Sequence, residues 1–269
     1  MSPRLDAEIL LAYCLKKERL YLYTNPDTSL ADREVKRFLQ LALRRRQGEP
    51  VAYIIGRKDF WSALFEVSPQ VLIPRPETEI LVEECLKVYA VPDAGHPGIL
   101  ELGTGSGAIA VTLSMELENA RLVATDISPE AVAVARRNAR RYGVENRIAF
   151  LTGNLFDPLS GKFDMIVSNP PYISEGEFET LPVDIRVYEP QLALIAGADG
   201  MVFHRKIISQ SVDYLKAGGW LLLEIGSGQK EGIEALLHGA GSFEEIRFRR
   251  DYAGFNRVAV ARKKKHSYG

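Results

Sequence analysis

The sequence predicts an α/β protein in which a helical N-terminal segment and a hairpin connection precede a parallel sheet with helices on both faces. Three observations predict it. Apolar residues recur at helical spacing before residue 48. A β-branched and aromatic stretch follows at 51–67. From about residue 98, short apolar runs alternate with helical segments, the pattern of a sheet covered on both sides.

Within the first 46 residues, Leu5, Ile9 and Leu10 share one helical face. Val35, Phe38, Leu39, Ala42 and Leu43 do the same after Asp32, and the link "YTNPDTSLAD" between the two sets is rich in turn formers. "RRRQGEP" ends the helical part. "VAYIIGRKDFWSALFEV" reads as a short hairpin with a tight turn near Ser62, packed by Phe60 and Trp61. In "LIPRPETEI", Pro74 and Pro76 stiffen a connection, with Pro76 suited to a helix start. These signals divide the chain into a helical domain at 1–48, a hairpin and linker at 49–79 and an α/β domain at 80–269.

In that last domain "GILEL" is a strand, "SGAIAVTLSMEL" a buried helix and "ARLVATD" a second strand. "SPEAVAVARRNARRYG" carries three helix signals: Ser128 as N-cap, Pro129 in the first turn and Gly143 past the end. "RIAFL" and "FDMIVS" are the third and fourth strands. An irregular stretch leads to a helix near 201–216, where His204 is an ordinary helix residue, then a strand "WLLLEI" and a helix near 229–238. Strands near 243–249 and 256–261 finish the sheet, with "RFRRDY" as a solvated edge.

Composition excludes several classes. The 269 residues are 46% hydrophobic, ample for a sizeable core. Lys and Arg total 34 against 35 Asp and Glu, a balance unlike that of proteins that grip long duplex nucleic acid. The basic end "RKKKHSYG" reads as a frayed solvated tail. Two cysteines, Cys14 and Cys85, fit a reduced cytoplasmic protein, and four scattered histidines offer no zinc-ligand spacing. Acidic residues interrupt the N-terminal apolar stretch, so it is no signal peptide, and no run approaches membrane-spanning length.

Chemistry concentrates at two turns. In "LELGTGSGA", Gly103, Gly105 and Gly107 allow a sharp strand-to-helix turn that a ligand can touch, and the helix start offers free N–H groups. Asp126 ends the second strand, where an acidic group suits the hydroxyls of a ribose. Gly103, Gly105 and Ala108 satisfy a dinucleotide fingerprint. Glu101 beside three alternating glycines looks more like a site for S-adenosylmethionine, whose ammonium and sulfonium welcome carboxylates. The turn alone favours that cofactor over a dinucleotide only mildly. The second turn is "SNPPY". Pro170 and Pro171 cannot continue a central strand, and they press Asn169 towards an extended conformation. The rigid tip holds the Asn169 side-chain oxygen and the Pro170 carbonyl as paired acceptors, with the Tyr172 ring beside them. Such a pair orients a poorly nucleophilic amide or exocyclic amine so that its lone pair faces a methyl donor, and positioning of this kind contributes up to roughly 7–11 kcal/mol.

These motifs together resemble those of the protein-(glutamine-N5) methyltransferases, specifically the bacterial peptide chain release factor methyltransferases of the HemK/PrmC type. The resemblance runs through "DAEILLAYCL", "RRRQGEPVAYIIGRKDFW", "LIPRPETE", "ELGTGSGAIA", "DISPEAVAVARRNA", "FDMIVSNPPYI" and "YEPQLAL". It implies a seven-stranded, Rossmann-like S-adenosylmethionine-dependent methyltransferase sheet with a small helical N-terminal domain. It implies methylation of the glutamine amide in the Gly-Gly-Gln tripeptide of class I release factors, with S-adenosylhomocysteine as product. By position, Glu101, Gly103, Thr104, Gly105, Ser106, Gly107 and Asp126 would bind the cofactor, and Asn169 would touch both ligands. Asn169, Pro170, Pro171 and Tyr172 would hold the glutamine amide. Asn154 and Leu155 align with the segment flanking the adenine, where relatives commonly carry an aspartate and can carry a tryptophan.

Arg75, Glu77 and Thr78 suit either contact with the methionine end of the cofactor or a plain helix start, and Glu189 either an ordering role for the loop after the tip or a surface turn. The resemblance implies a cytoplasmic protein whose partner is a release factor; the near-neutral charge and the lack of a long apolar run speak against stable nucleic-acid and membrane binding, and a monomer is the default expectation. Competing functions are methylation of a ribosomal protein's glutamine, N6-adenine methylation, a dinucleotide-dependent oxidoreductase and a non-catalytic cofactor-binding regulator. Adenine methylation needs a splayed-base pocket and a basic path for the strand. An oxidoreductase leaves the SNPPY tip unexplained, and a regulator needs no amide clamp.

Overall fold

A computed structural model of the chain describes residues 2–89 and 96–265; the last four residues of the basic tail lie outside them. Helices α1 (Pro3–Leu15), α2 (Leu20–Thr24), α3 (Asp32–Arg46) and α4 (Val51–Ile55) come first. Pro3 opens α1 where a missing N–H costs nothing. Acidic Asp32 and Glu34 begin α3 and Arg44, Arg45 and Arg46 end it, each charge matching the helix dipole. Arg45 pins α3 to α1 through Asp6 at 2.7 Å. The apolar residues Val35, Leu39 and Leu43 of α3 remain exposed.

Only half of the expected hairpin is hairpin. Val51–Ile55 forms α4, ended by Gly56 in the left-handed region. A β-branched composition over five residues is a weak preference that packing against α1 and α3 overrides. Strands β1 (Arg57–Phe60) and β2 (Ala63–Glu66) then pair antiparallel. Trp61 and Ser62 both take positive φ between them, the twist that a two-residue hairpin turn requires. Phe60 and Phe65 pack edge to face beneath it. Three successive turn bonds, beginning with Thr78 N to Arg75 O, lead from the proline segment into α5 (Thr78–Tyr89), so Pro76 lies just before the helix rather than in it.

The main sheet contains β3 (Gly98–Leu102), β4 (Arg121–Asp126), β5 (Ile148–Thr152), β6 (Phe163–Ser168), β7 (Leu215–Glu224), β8 (Phe243–Arg250) and β9 (Asn256–Lys263), in the order β5-β4-β3-β6-β7-β9-β8. The pairs from β5 to β7 are parallel. β9 runs antiparallel to both its neighbours, so the sheet is mixed where strand–helix alternation implied a wholly parallel one. Helices α5, α6 (Ala108–Glu116) and α7 (Pro129–Arg141) cover one face. Short α8 (Glu175–Phe178) and α9 (Val183–Tyr188) lie in the stretch read as irregular, and α10 (Val202–Tyr214) and α11 (Lys230–Gly239) cover the other face.

Alternation along the strands fills both layers. Ile99, Met165, Val167 and Leu222 pack with Leu81, Ile109 and Leu113. Their neighbours Leu100, Ile166, Leu221 and Leu223 pack with Ile207, Ile233 and Leu237 on the opposite side. Strand order reverses between β3 and β6, which opens a crevice at their C-terminal ends where such sheets place ligands. The arginines of β8 do more than line an edge: Arg247 pairs with Glu84 of α5, a carboxylate only 2% exposed.

Candidate active site

The crevice is a cleft of about 330 Å³. Glu101, Gly103, Thr104, Gly105 and Ser106 line it from the turn after β3, and Asp126, Asn154 and Leu155 from the ends of β4 and β5. Asn169, Pro170 and Pro171 line it from the tip of β6. The two turns that the sequence singles out therefore share one cavity. Gly107 does not line it. A Cβ there would lie 3.0–3.1 Å from Ala135, so its bare backbone lets α6 approach α7. Tyr172 also stands outside the lining and turns its hydroxyl to Glu224 Oε1 at 3.3 Å.

Backbone bonds set the glycine turn. Gly103 N and Thr104 N both donate to Thr125 O, and Gly107 N closes on Thr104 O. Glu101 Oε2 accepts from the Thr104 hydroxyl at 2.6 Å and from Ala110 N at 3.1 Å. Glu101 Oε1 is buried without a partner. Burial pushes this carboxyl up to about 8, against the pull of those two donors. A cation is what would satisfy it, and the ammonium of an amino-acid ligand is one. The oxygens of Asp126 each take one N–H, from Gly105 at 2.8 Å and Ser128 at 3.0 Å. Burial raises this carboxyl too, and its remaining lone pairs can still accept from hydroxyls. Leu155 takes positive φ, and its carbonyl accepts from Thr125 Oγ1.

At the second turn Asn169 Nδ2 donates to Thr78 Oγ1 at 3.0 Å, and Thr78 Oγ1 donates to Glu224 Oε2 at 2.7 Å. Burial pushes Glu224 up to about 7, and proximity to that carboxylate adds to burial in raising Tyr172. Gln229 Nε2 donates to the carbonyls of Tyr172 and Gly200 and steadies the tip from behind. Glu189 is buried, not a surface turn. It accepts from Arg75 at 2.6 Å and from Ile73 N at 3.2 Å, and so fastens the loop after the tip to the proline segment. Arg75 lines the cleft, whereas Glu77 is exposed and outside it. His204 is fully buried, with Nε2 on the Glu224 carbonyl at 2.9 Å. The sequence reading left Glu224 and Gln229 unmarked. Glu224 ends an apolar strand at the same edge as Glu101 and Asp126, and a carboxylate closing such a run was the available signal.

Residues 1–56 match the family described as PrmC N-terminal domain, and residues 77–188 that described as methyltransferase small domain. A release factor glutamine methyltransferase of Yersinia pestis is 43% identical over 260 residues, spanning 96% of this chain and 92% of its own. One from Geobacter sulfurreducens is 42% identical over 262 residues, spanning 97% and 90%. A crystal structure of a methyltransferase from Pyrococcus furiosus, 21% identical, superposes with a TM-score of 0.58 over 83% of this chain and 100% of that one, which supports the fold. Two relatives at this identity over nearly the full length, with the helical N-terminal match, show that the chain belongs to the release factor glutamine methyltransferase family.

Proposed function

We propose that the protein transfers a methyl group from S-adenosylmethionine to the side-chain amide nitrogen of the glutamine in the Gly-Gly-Gln tripeptide of class I release factors. The observation that carries this reading is the shared cleft: a proline-locked asparagine and a glycine turn with a free buried carboxylate oxygen face one cavity. When bound, S-adenosylmethionine supplies a methyl group activated by its sulfonium. Glu101 Oε1 would hold the ammonium, Asp126 the ribose hydroxyls, and the backbone of Gly103 to Ser106 the methionine part. Asn154 and Leu155, which also line the cleft, would hold the adenine. Asn169 Oδ1 and the Pro170 carbonyl would accept from the two amide hydrogens and Pro171 would line the pocket beside the glutamine stem, while Tyr172, outside the lining, steadies the tip through Glu224. The nitrogen loses a proton once it carries the methyl group, so the chain needs acceptors in place rather than a strong base.

Residues 1–48 act as the recognition domain for the release factor. The protein works as a cytoplasmic monomer and holds no nucleic acid stably. Among the described residues no helix is long and apolar enough to cross a membrane. Mass spectrometry tests the reading. The protein is mixed with S-adenosylmethionine and an unmethylated class I release factor, beside a variant whose tripeptide glutamine is alanine and an adenine-containing DNA. One added methyl on that glutamine, absent from both controls, is expected. Methyl on the DNA would transfer the same tip chemistry to adenine.

A further inference from the structure

We propose that Thr78 and Glu224 are positioning residues that fix which end of the Asn169 side-chain amide faces the substrate nitrogen. The inference rests on the amide-methylating reading and deepens it. An asparagine amide has two orientations of nearly equal shape, related by a half turn. Only one of them presents Oδ1 to the substrate N–H. The other sets a donor against a donor, and the clamp fails. Nothing in the tip itself selects between them, because the prolines fix the backbone and not this torsion.

The selection comes from behind. Nδ2 donates to Thr78 Oγ1 at 3.0 Å. That oxygen can accept because its own proton is committed to Glu224 Oε2 at 2.7 Å. Glu224 Oε1 takes the Tyr172 hydroxyl at 3.3 Å. An ionised carboxylate has no proton to give, so every donor in the chain points towards it and Oδ1 is left facing the cleft. A protonated Glu224 donates to Thr78 instead. The Thr78 hydroxyl then turns to Asn169, draws Oδ1 inwards and leaves Nδ2 towards the substrate. The chain thus has a direction, and the carboxylate sets it.

The parts come from three distant places: the start of α5, the end of β7 and the tip after β6. Thr78 is 4% exposed and Glu224 1%, so solvent does not substitute for either partner. Thr78 lines the cleft beside Asn169, whereas Glu224 lies outside the lining and acts only through its neighbours. Its surroundings hold the charge in check. Burial opposes the ionised form most, the Thr78 and Tyr172 hydroxyls and Arg257 on β9 favour it, and Glu77 before α5 opposes it. His204 of α10 reaches only its backbone carbonyl.

Single-turnover methyl transfer to the unmethylated release factor, measured across neutral pH with cofactor affinity by calorimetry, tests this on wild type, Thr78→Val, Thr78→Ser and Glu224→Gln. Thr78→Val and Glu224→Gln are expected to slow transfer about tenfold to a hundredfold, the size of one hydrogen bond to a charged group. Their affinity for S-adenosylmethionine should stay within about twofold of wild type. Thr78→Ser, which keeps the hydroxyl, recovers most of the rate lost in Thr78→Val. Wild type slows as pH falls, and Glu224→Gln loses that dependence. A wild-type rate in Thr78→Val, a Thr78→Ser rate as low as that of Thr78→Val, or cofactor affinity falling in step with rate overturns the proposal. The Val and Ser pair decides alone if Glu224→Gln does not fold. No transfer by wild type would instead overturn the reading on which the inference rests.

Discussion

At the residue scale the cleft is governed by carboxyl groups whose solvation has been removed. Glu101 is the sharpest case, because one of its oxygens is buried with no partner and its carboxyl is pushed up to about 8. In the ligand-free protein burial therefore favours its protonated form. A raised folded-state value means that its contribution to stability is full below the usual carboxylate range and is lost as pH rises through about 8. Ligand binding runs the other way, since an ammonium prefers the ionised form. S-adenosylmethionine affinity should weaken as pH falls below that value, by at most about tenfold per pH unit. Calorimetry over a pH series checks this, and Glu101→Gln should bind more weakly with a flat pH dependence. Asn169 makes the opposite kind of contribution. Asn169→Ala should leave cofactor affinity nearly unchanged but reduce turnover about a hundredfold to a thousandfold, the range seen when one oriented polar group is removed. Near-wild-type turnover would reject the amide clamp.

At the element scale the hairpin is a brace, not an appendage. Asn138 on α7 is fully buried and makes three bonds. It accepts from Glu66 N at 2.8 Å and donates to Glu66 O at 3.0 Å and Ser106 O at 2.8 Å. One side chain thus ties β2 to the glycine turn. Asn138→Ala should cost about 2–4 kcal/mol, from lost bonds and orphaned backbone groups, and thermal unfolding with and without S-adenosylmethionine would read it. A loss below about 1 kcal/mol would show that the turn holds itself. This brace was invisible in the sequence because a buried asparagine inside an amphipathic helix looks like any polar residue there. The elements that were legible carry local causes: Ser128 accepts from Ala131 N as the N-cap of α7, and Gly143 takes the left-handed turn beyond it. α4 was not legible, because its helix depends on contacts with α1 and α3 rather than on its own residues.

At the scale of the whole molecule, the site depends on pairings between residues far apart in the chain. The two turns were readable because their backbone demands, three positive-φ glycines and two prolines, are written locally. The partners Arg75–Glu189 and Thr78–Glu224 were not, since nothing in the sequence states that they meet. The same folding leaves apolar surface unused. Val35, Leu39 and Leu43 are spaced four apart on α3 and exposed, as are Val183 and Val187 on α9 and Leu192 at the cleft mouth. The Tyr188 hydroxyl donates to Gln47 O at 3.0 Å, so α9 bridges the end of α3 to the cleft. Exposed apolar residues on both elements fit a protein substrate better than a small one. Leu39→Glu combined with Leu43→Glu should change thermal stability little, because both side chains are about half exposed, at 54% and 48%. It should raise KM for the whole release factor about tenfold or more while leaving turnover of a free Gly-Gly-Gln peptide as it was. Equal effects on both substrates would mean that α3 acts on the cleft itself and that recognition lies elsewhere.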